Sequence, residues 1–457
     1  MPTAMSLLNF LLAKTSAADH TKGIPSTVMK THGVLPSDSQ EKGPMRDEKS
    51  GRIGERAKSY VELLCYPRKV CTDAERQAAD FIAQQMQALG LSVRREPFAV
   101  GSTSREWWNR ALFAACATLA VLGALAFPMV PIISVLAWVS VALLVNLPWC
   151  WTGNAFRPTA STGPAFSENL LATPKKNPSG NVRVVFMAHY DTKSQVIPTG
   201  LRVGLVTVVW CCSWLLAMLG LLWSWQCWPV WLPSSPNPWN LTIVIVVCLA
   251  GLAANFSGNR SPGALDNASG VAALLELARC WQQSTRQGIW WTRQLEVVFV
   301  ATSAEETDLE GARHFLAQYA EWWHEKPTLL INLESVGAGP NLYLSGEPRT
   351  QVWAEAVARE LGLRPRRLRV LGAGMDHQPF AAQGLSSLSI LGDVVRRSFY
   401  LHTLRDDLSL VESEALERAV RLAWHLAQRW VESHAGIVSF AVPRSAKSVL
   451  RPAVPQA

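Results

Sequence analysis

Charge is missing from two long stretches of this 457-residue chain: no Asp, Glu, Lys or Arg lies between Arg110 and Arg157, or between Arg202 and Arg260. Soluble cores rarely run so far without an ionisable group, and each stretch is far longer than the roughly 20 residues that cross a bilayer. Prolines interrupt both near the middle, Pro128 and Pro131 in the first, and Pro229, Pro233, Pro236 and Pro238 in the second. Because proline breaks a helix interior, each stretch reads as a hairpin of membrane helices, 107–127 with 130–147 and 203–223 with 239–256. Other absences narrow the function. The nine cysteines form no Cys-x-x-Cys pair, which excludes a thiolate metal knuckle and a disulfide framework, and Cys65 and Cys71 are read as reduced. No Gly-x-Ser-x-Gly elbow occurs, so a serine hydrolase is unsupported. No basic stripe interleaved with aromatics occurs, which excludes a nucleic-acid groove; the net charge of +8 suits an anionic membrane surface instead. There is no internal repeat, and the apolar run 6–13 lacks the preceding basic residue of a secretory leader.

Tryptophan is abundant, at twenty residues, and its placement follows the hairpins. Trp107, Trp108, Trp149, Trp151, Trp223, Trp225, Trp228, Trp231 and Trp239 lie near the expected helix ends, where an amphipathic ring rests at the headgroup level. The hairpin tips carry no Lys or Arg, whereas the other flanks carry Arg105, Arg110, Arg157, Lys175, Lys176, Lys193, Arg202 and Arg260. Positive residues favour the cytoplasmic side, so the expectation is a multi-pass integral membrane protein with everything but the tips in the cytoplasm.

Outside the hairpins the pattern is that of an α/β fold. Residues 1–52 and 435–457 lack periodicity and are expected to be disordered. Thr72-Asp73-Ala74-Glu75 is a capping box opening a helix with Ala79, Phe81, Ile82, Met86 and Leu89 inward and Gly90 as its stop. A short strand is expected at 91–93 and buried strands at 182–188, 295–302 and 329–333, with helices at 269–284, 309–323, 351–361 and 411–433. Such alternation predicts a mostly parallel central sheet flanked by helices. The expected organisation is one catalytic domain (53–104, 152–201 and 259–434) interrupted by transmembrane hairpins at 105–151 and 202–258.

Three acidic or histidine-bearing segments follow the apolar strands: His189-Tyr190-Asp191, Glu305-Glu306 and Glu334. Asp266 and His402 complete the set. Ligands of open α/β sheets collect beyond the carboxyl ends of strands. Zinc takes imidazole nitrogen and carboxylate oxygen, and two metals a few ångströms apart need a shared carboxylate. His189, Asp266, Glu306, Glu334 and His402 would suffice as ligands. Glu305, beside a ligand but itself free, is placed to take a proton from water, and Asp191 to fix the His189 tautomer. Read singly, Asp266 is also a helix-cap candidate. His314, His324, His425 and His434, like Trp322 and Trp323, read as packing or surface residues.

Together these motifs resemble the co-catalytic zinc aminopeptidase family that includes bacterial leucyl aminopeptidases, aminopeptidase Y and glutamate carboxypeptidases. The resemblance covers 56–100, 157–200 and 260–433 and rests on His189-x-Asp191, Asp266-Asn267-Ala268-Ser269-Gly270, Glu305-Glu306, Glu334, His402-Thr403-Leu404-Arg405-Asp406 and Asp376-His377-Gln378-Pro379-Phe380. It implies a zinc exopeptidase-like fold, two zinc ions per chain, peptide substrates, and Asp266 as the bridging ligand. It also implies Asp376 and His377 near the substrate, and Tyr400 as a carbonyl-polarising group sharing a strand side with His402. The family often has aspartate where Glu334 stands, and the interval from Asp191 to Asp266 is lengthened by the second hairpin. The reading is a membrane-anchored zinc exopeptidase, an aminopeptidase with Glu305 as base. The alternatives are a single-zinc glutaminyl cyclase-type transferase and a catalytically inactive membrane scaffold. The partners implied are a peptide and the lipid bilayer, without nucleic acid, and the oligomeric state is left open.

Overall fold

A computed structural model describes residues 50–101, 104–146, 166–175, 180–225, 237–369 and 374–434. The expectations for 1–49 and 435–457, and for Trp149, Trp151, Arg157, Lys176, Trp228 and Trp231, lie outside the described residues.

Eight strands form one sheet in the order β1-β2-β6-β3-β7-β10-β8-β9. They are β1 (Leu91–Ala99), β2 (Phe166–Pro174), β3 (Val182–His189), β6 (Leu295–Thr302), β7 (Thr328–Glu334), β8 (Tyr343–Gly346), β9 (Arg366–Arg367) and β10 (Ser387–Leu391). Four of the sheet's seven strand pairings are parallel and three antiparallel. Its inner strands β6, β3, β7 and β10 run parallel, while β1, β2 and β8 pair antiparallel at the flanks. Every residue of β3 and β7 is buried, the pattern of strands covered on both faces. Parallel pairing has one consequence for function: the carboxyl ends of β3, β6 and β7, and the acids and histidine there, reach the same edge. Register places His189 opposite Thr302.

Helices α1 (Ser50–Leu64), α2 (Asp73–Ala88), α7 (Ser269–Arg286), α8 (Glu310–Gln318), α9 (Pro348–Glu360) and α10 (Ser413–His434) accompany the sheet. Helix α1 is an addition to the expected elements and begins inside the stretch read as disordered; it buries Ile53, Ala57, Tyr60, Val61 and Leu64, and Arg56 pairs with Glu276 of α7 at 2.9 Å. Strand β1 is longer than foreseen. In α2 the Thr72 hydroxyl accepts the Glu75 N–H at 3.3 Å, but the Glu75 carboxylate does not close the box. It accepts instead from Cys71 N–H and from the hydroxyls of Ser167 and Ser303, so it staples the helix start to the sheet. Phe81 is half-buried rather than inward, with Ala78 and Ala83 in the core. The helix expected at 309–323 stops at Gln318 and restarts at Trp322. Tyr319 turns its ring onto Phe315 and Trp322 and its hydroxyl onto Glu96, which lets Trp323 pack against Phe380.

The charge-free stretches form the expected pairs, α3 (Ser104–Ala126) with α4 (Pro131–Leu144), and α5 (Thr199–Ser224) with α6 (Trp239–Ala253). The pairs pack on each other through Cys116, Ala120, Trp138, Val141, Val206, Val209, Leu216, Ile245 and Leu249. Trp138 is fully buried, and a Cβ at Gly123 would stand 3.0 Å from its Nε1. Outward, Leu122, Leu125, Leu136, Leu143, Met218, Ile243 and Val247 are exposed. Two of these helices, Trp107–Ala126 and Thr199–Ser224, are long and apolar enough to cross a membrane by length and composition. The second pair stands on a two-stranded ribbon, β4 (Ser194–Gln195) against β5 (Ser257–Gly258).

Candidate metal centre

Each donor sits where the backbone changes direction. His189 ends β3 and Glu334 ends β7. Glu305 and Glu306 follow β6 after Ala304, at φ 56°; Ser335, just past Glu334, has φ 49°, and His402 itself has φ 63°. Residues other than glycine seldom adopt such left-handed values, and the strain gathers at sites the surroundings over-determine. Asp266 lies in the loop before α7. It does not cap that helix, whose N-cap position, Ala268, makes no side-chain bond.

The donors form two triads with one shared member. His189 Nε2 stands 3.3 Å from Asp266 Oδ1 and 3.2 Å from Glu334 Oε1. His402 Nε2 stands 3.1 Å from Asp266 Oδ2 and 2.8 Å from Glu306 Oε1. The two oxygens of Asp266 therefore face different triads, and both triads have the composition of a metal-holding group. Ligand atoms around a tetrahedral zinc at about 2.0–2.1 Å stand roughly 3.3 Å apart, close to three of the four separations. Glu306 Oε1 is buried and makes no hydrogen bond among the described residues, although His402 Nε2 is so near. The set fits two zinc ions.

A surrounding layer holds the donors. Asp191 accepts the N–H groups of Glu305 and Glu306 with its two oxygens, both at 3.2 Å, and its Oδ1 lies 3.4 Å from His189 Nδ1. It thus serves the acid pair as much as the imidazole for which it was expected. Asp406, the last residue of the His402 motif, accepts the N–H groups of Leu265 at 2.7 Å and Asp266 at 3.2 Å. Asn267 donates to Leu333 O at 2.8 Å and accepts from Gly270 and Ser335 N–H groups at 3.0 and 2.9 Å. Fully buried Arg68 donates to the carbonyls of Tyr190, Pro262 and Gly263. Lys193 pairs with Glu306 Oε2 at 2.6 Å. Sequence reasoning gave no role at the site to Asn267, Asp406, Arg68 or Lys193; the first two stand inside the quoted motifs, Lys193 was read only as one of the basic flanks, and Arg68 carries no local pattern.

Burial raises the Glu305 carboxyl; His189 opposes this, but Glu306, Glu334 and Asp376 reinforce it, and the group ends well above the ordinary range. Asp266 goes the other way. Burial would raise it, but hydrogen bonds and charge from His189 and His402 hold it low. Glu306, likewise opposed by burial, is brought to about 2, chiefly by His402 and Lys193. Burial pushes Asp406 up to about 8 and Asp376 to about 7.

Asp376 and His377 are both buried. Asp376 Oδ2 accepts from Thr302 at 2.5 Å, and His377 Nδ1 lies 2.6 Å from Ser389 Oγ. Asn332 donates to that Ser389 hydroxyl and to Glu334 Oε2, so His377 is linked to Glu334 through β10 and β7. Tyr400 does not share a strand with His402. It sits in a turn, packed on Leu265, Ala338, Leu401 and Leu410, because the chain must reverse there to bring His402 over Asp266. His314 stacks on Phe98, and Trp323 packs in the core, as expected of packing residues.

Residues 242–427 match the family model of peptidase family M28. The chain is 29% identical over 171 residues to Aminopeptidase YwaD of Bacillus subtilis, covering 35% of this chain and 36% of that protein. It is 24% identical over 145 residues to a glutamate carboxypeptidase 2 homolog of Caenorhabditis briggsae (26% and 19% covered). It is 29% identical over 153 residues to a vacuolar membrane protease of Schizosaccharomyces japonicus (32% and 17% covered). The matches thus span about a third of the first relative's length and less than a fifth of the other two. The solved structure of BSAP, a zinc aminopeptidase from Bacillus subtilis, superposes with a TM-score of 0.47 and 16% identity over 83% of this chain and 94% of that one; so loose an overlap bears on nothing further. The stretch similar to peptidase family M28 contains Asp266, Glu305, Glu306, Glu334 and His402.

Proposed function

We propose that the protein is a membrane-anchored, zinc-dependent exopeptidase, an aminopeptidase that releases N-terminal residues from peptides. The observation that carries this is the division of the Asp266 carboxylate between the His189–Glu334 and His402–Glu306 triads. The aminopeptidase activity is supported by the name of the Bacillus subtilis relative, and the anchoring by the outward apolar helices and the membrane protease relative. A single-zinc cyclase would need neither five donors nor a shared one.

His189, Glu334 and Asp266 would hold one zinc, and His402, Glu306 and Asp266 the other. Bound zinc supplies Lewis acidity, which makes a water a better nucleophile and polarises the scissile carbonyl. Glu305, raised above the usual carboxylate range by burial, accepts the proton of the attacking water and returns it to the leaving amine. Asp191 keeps Glu305 and Glu306 in register by gripping both backbone N–H groups. Tyr400→Phe tests whether the phenol contributes. The basic flanks favour an orientation with the catalytic face in the cytoplasm, which protease protection in sealed vesicles would read.

The test is zinc content of the detergent-purified chain together with amino-acid release from a peptide pool. Two zinc ions and release from the N-terminus are expected. Glu305→Gln should keep both ions while turnover drops by about 10²–10⁴; unchanged turnover removes Glu305 from the mechanism.

A further inference from the structure

The second apolar hairpin reaches the metal centre through its foot. His402 Nε2 faces Asp266 and Glu306, while its Nδ1 lies 2.9 Å from Thr199 Oγ1 and 3.1 Å from Gln195 Oε1. Thr199 is the first residue of α5, the 26-residue apolar helix, and it is buried. Gln195 belongs to the β4–β5 ribbon at the hairpin's base. Its backbone N–H donates to His402 O at 2.9 Å, and its side-chain oxygen also accepts from Arg202 Nη1 at 3.1 Å, one turn into α5.

We propose that Thr199 and Gln195 are positioning residues for His402, so that the seating of the second hairpin sets how tightly the His402 zinc is held. This rests on the two-zinc reading above. Two oxygen acceptors at Nδ1 fix the imidazole proton there and leave the Nε2 lone pair facing the metal. Arg202, bonded to the same Gln195 oxygen, orients the amide so that its oxygen rather than its NH2 meets the ring. The backbone is fastened as well. Gly200 N–H donates to Ser398 O at 2.9 Å, and a Cβ at Gly200 would stand 2.6 Å from Ser398 Oγ, so the 398–402 turn and the start of α5 are in direct contact. Across the ribbon, Ile197 N–H donates to Asn255 Oδ1 at 2.9 Å, which ties the two ends of the hairpin together. Among the described residues His189 has no such link: its Nδ1 faces Asp191, close to its own strand. The hairpin therefore acts on one metal position and not on the other.

The experiment is competition between full-length protein in detergent and a zinc chelator, resolving the two affinities. In the double variant Thr199→Val, Gln195→Met, one zinc should weaken by about 10- to 100-fold while the other holds, and Thr199→Ser alone should remain near the unaltered chain. If the double variant does not fold, the single variants decide, a smaller loss at one zinc in each being the expected result. Unchanged affinities in the variants overturn the proposal, as does an equal loss at both zinc ions that Thr199→Ser shares, since that marks general damage. Failure of the two-zinc reading would show separately, as an unaltered chain that binds fewer than two ions.

Discussion

Asp266 is the residue on which both triads depend, because each of its oxygens faces a different histidine. Asp266→Ala should therefore abolish tight binding of both zinc ions, whereas His189→Ala or His402→Ala should each remove one, a difference that metal analysis reads directly. His377 gives a prediction of another kind. Burial lowers its pKa to about 3, while an unfolded histidine titrates near 6.5. Below about 6.5 the unfolded chain binds a proton that the folded chain refuses until about 3, so stability falls as pH drops across that window, by about 1.4 kcal/mol per pH unit from this group. His377→Asn should make the acid limb of a denaturation-versus-pH curve shallower. At this scale the donors were legible, since a histidine or acid just beyond an apolar β-branched run is a local pattern. Asp406 and Asn267 were visible only as letters in motifs, because the N–H groups they serve become available only after the loop before α7 has folded against β7.

Elements explain why those motif letters are needed. Gly270 opens α7 beside the end of β7, and a Cβ there would stand 2.3 Å from both Leu333 O and Asn267 Oδ1. The helix start thus lies against the carbonyl that precedes Glu334. Gly270→Ala should destabilise the fold by about 1–3 kcal/mol through overpacking and weaken zinc binding by moving Asn267; a melting temperature and zinc content equal to the unaltered chain would show that the contact relaxes freely. Pattern located α2, α7, α9 and α10, the three buried strands that end in an acid or histidine, and both apolar pairs. It overlooked α1, although Ile53, Ala57, Tyr60, Val61 and Leu64 have helical spacing, because the preceding polar segment obscured the start. It also carried one helix through Tyr319, where a tertiary hydrogen bond to Glu96 competes with helix continuation.

For the molecule as a whole, the paired apolar helices bury Trp138, Val141, Val206, Leu216 and Ile245 between them and leave Leu122, Leu136, Met218, Ile243 and Val247 on the outside. Water would leave that outer surface as a large exposed apolar patch, whereas hydrocarbon accepts it. The chain should sediment with membranes, resist carbonate extraction and need detergent for release; recovery in the soluble fraction would refute anchoring. The sequence alone determined the apolar helix pairs, the buried strands and the acids and histidine that end them, since each is written in neighbouring residues: charge-free runs, proline breaks, alternation, an acid after a strand. Only the tertiary structure decided that the two oxygens of Asp266 serve two triads, that Glu75 leaves its capping box for Ser167 and Ser303, that Tyr400 lies in a turn, and that a hairpin's first residue meets His402. Hydrogen bonds between residues as far apart as Thr199 and His402 depend on how parallel strands and an inserted hairpin are brought to one edge, and no local pattern encodes that meeting.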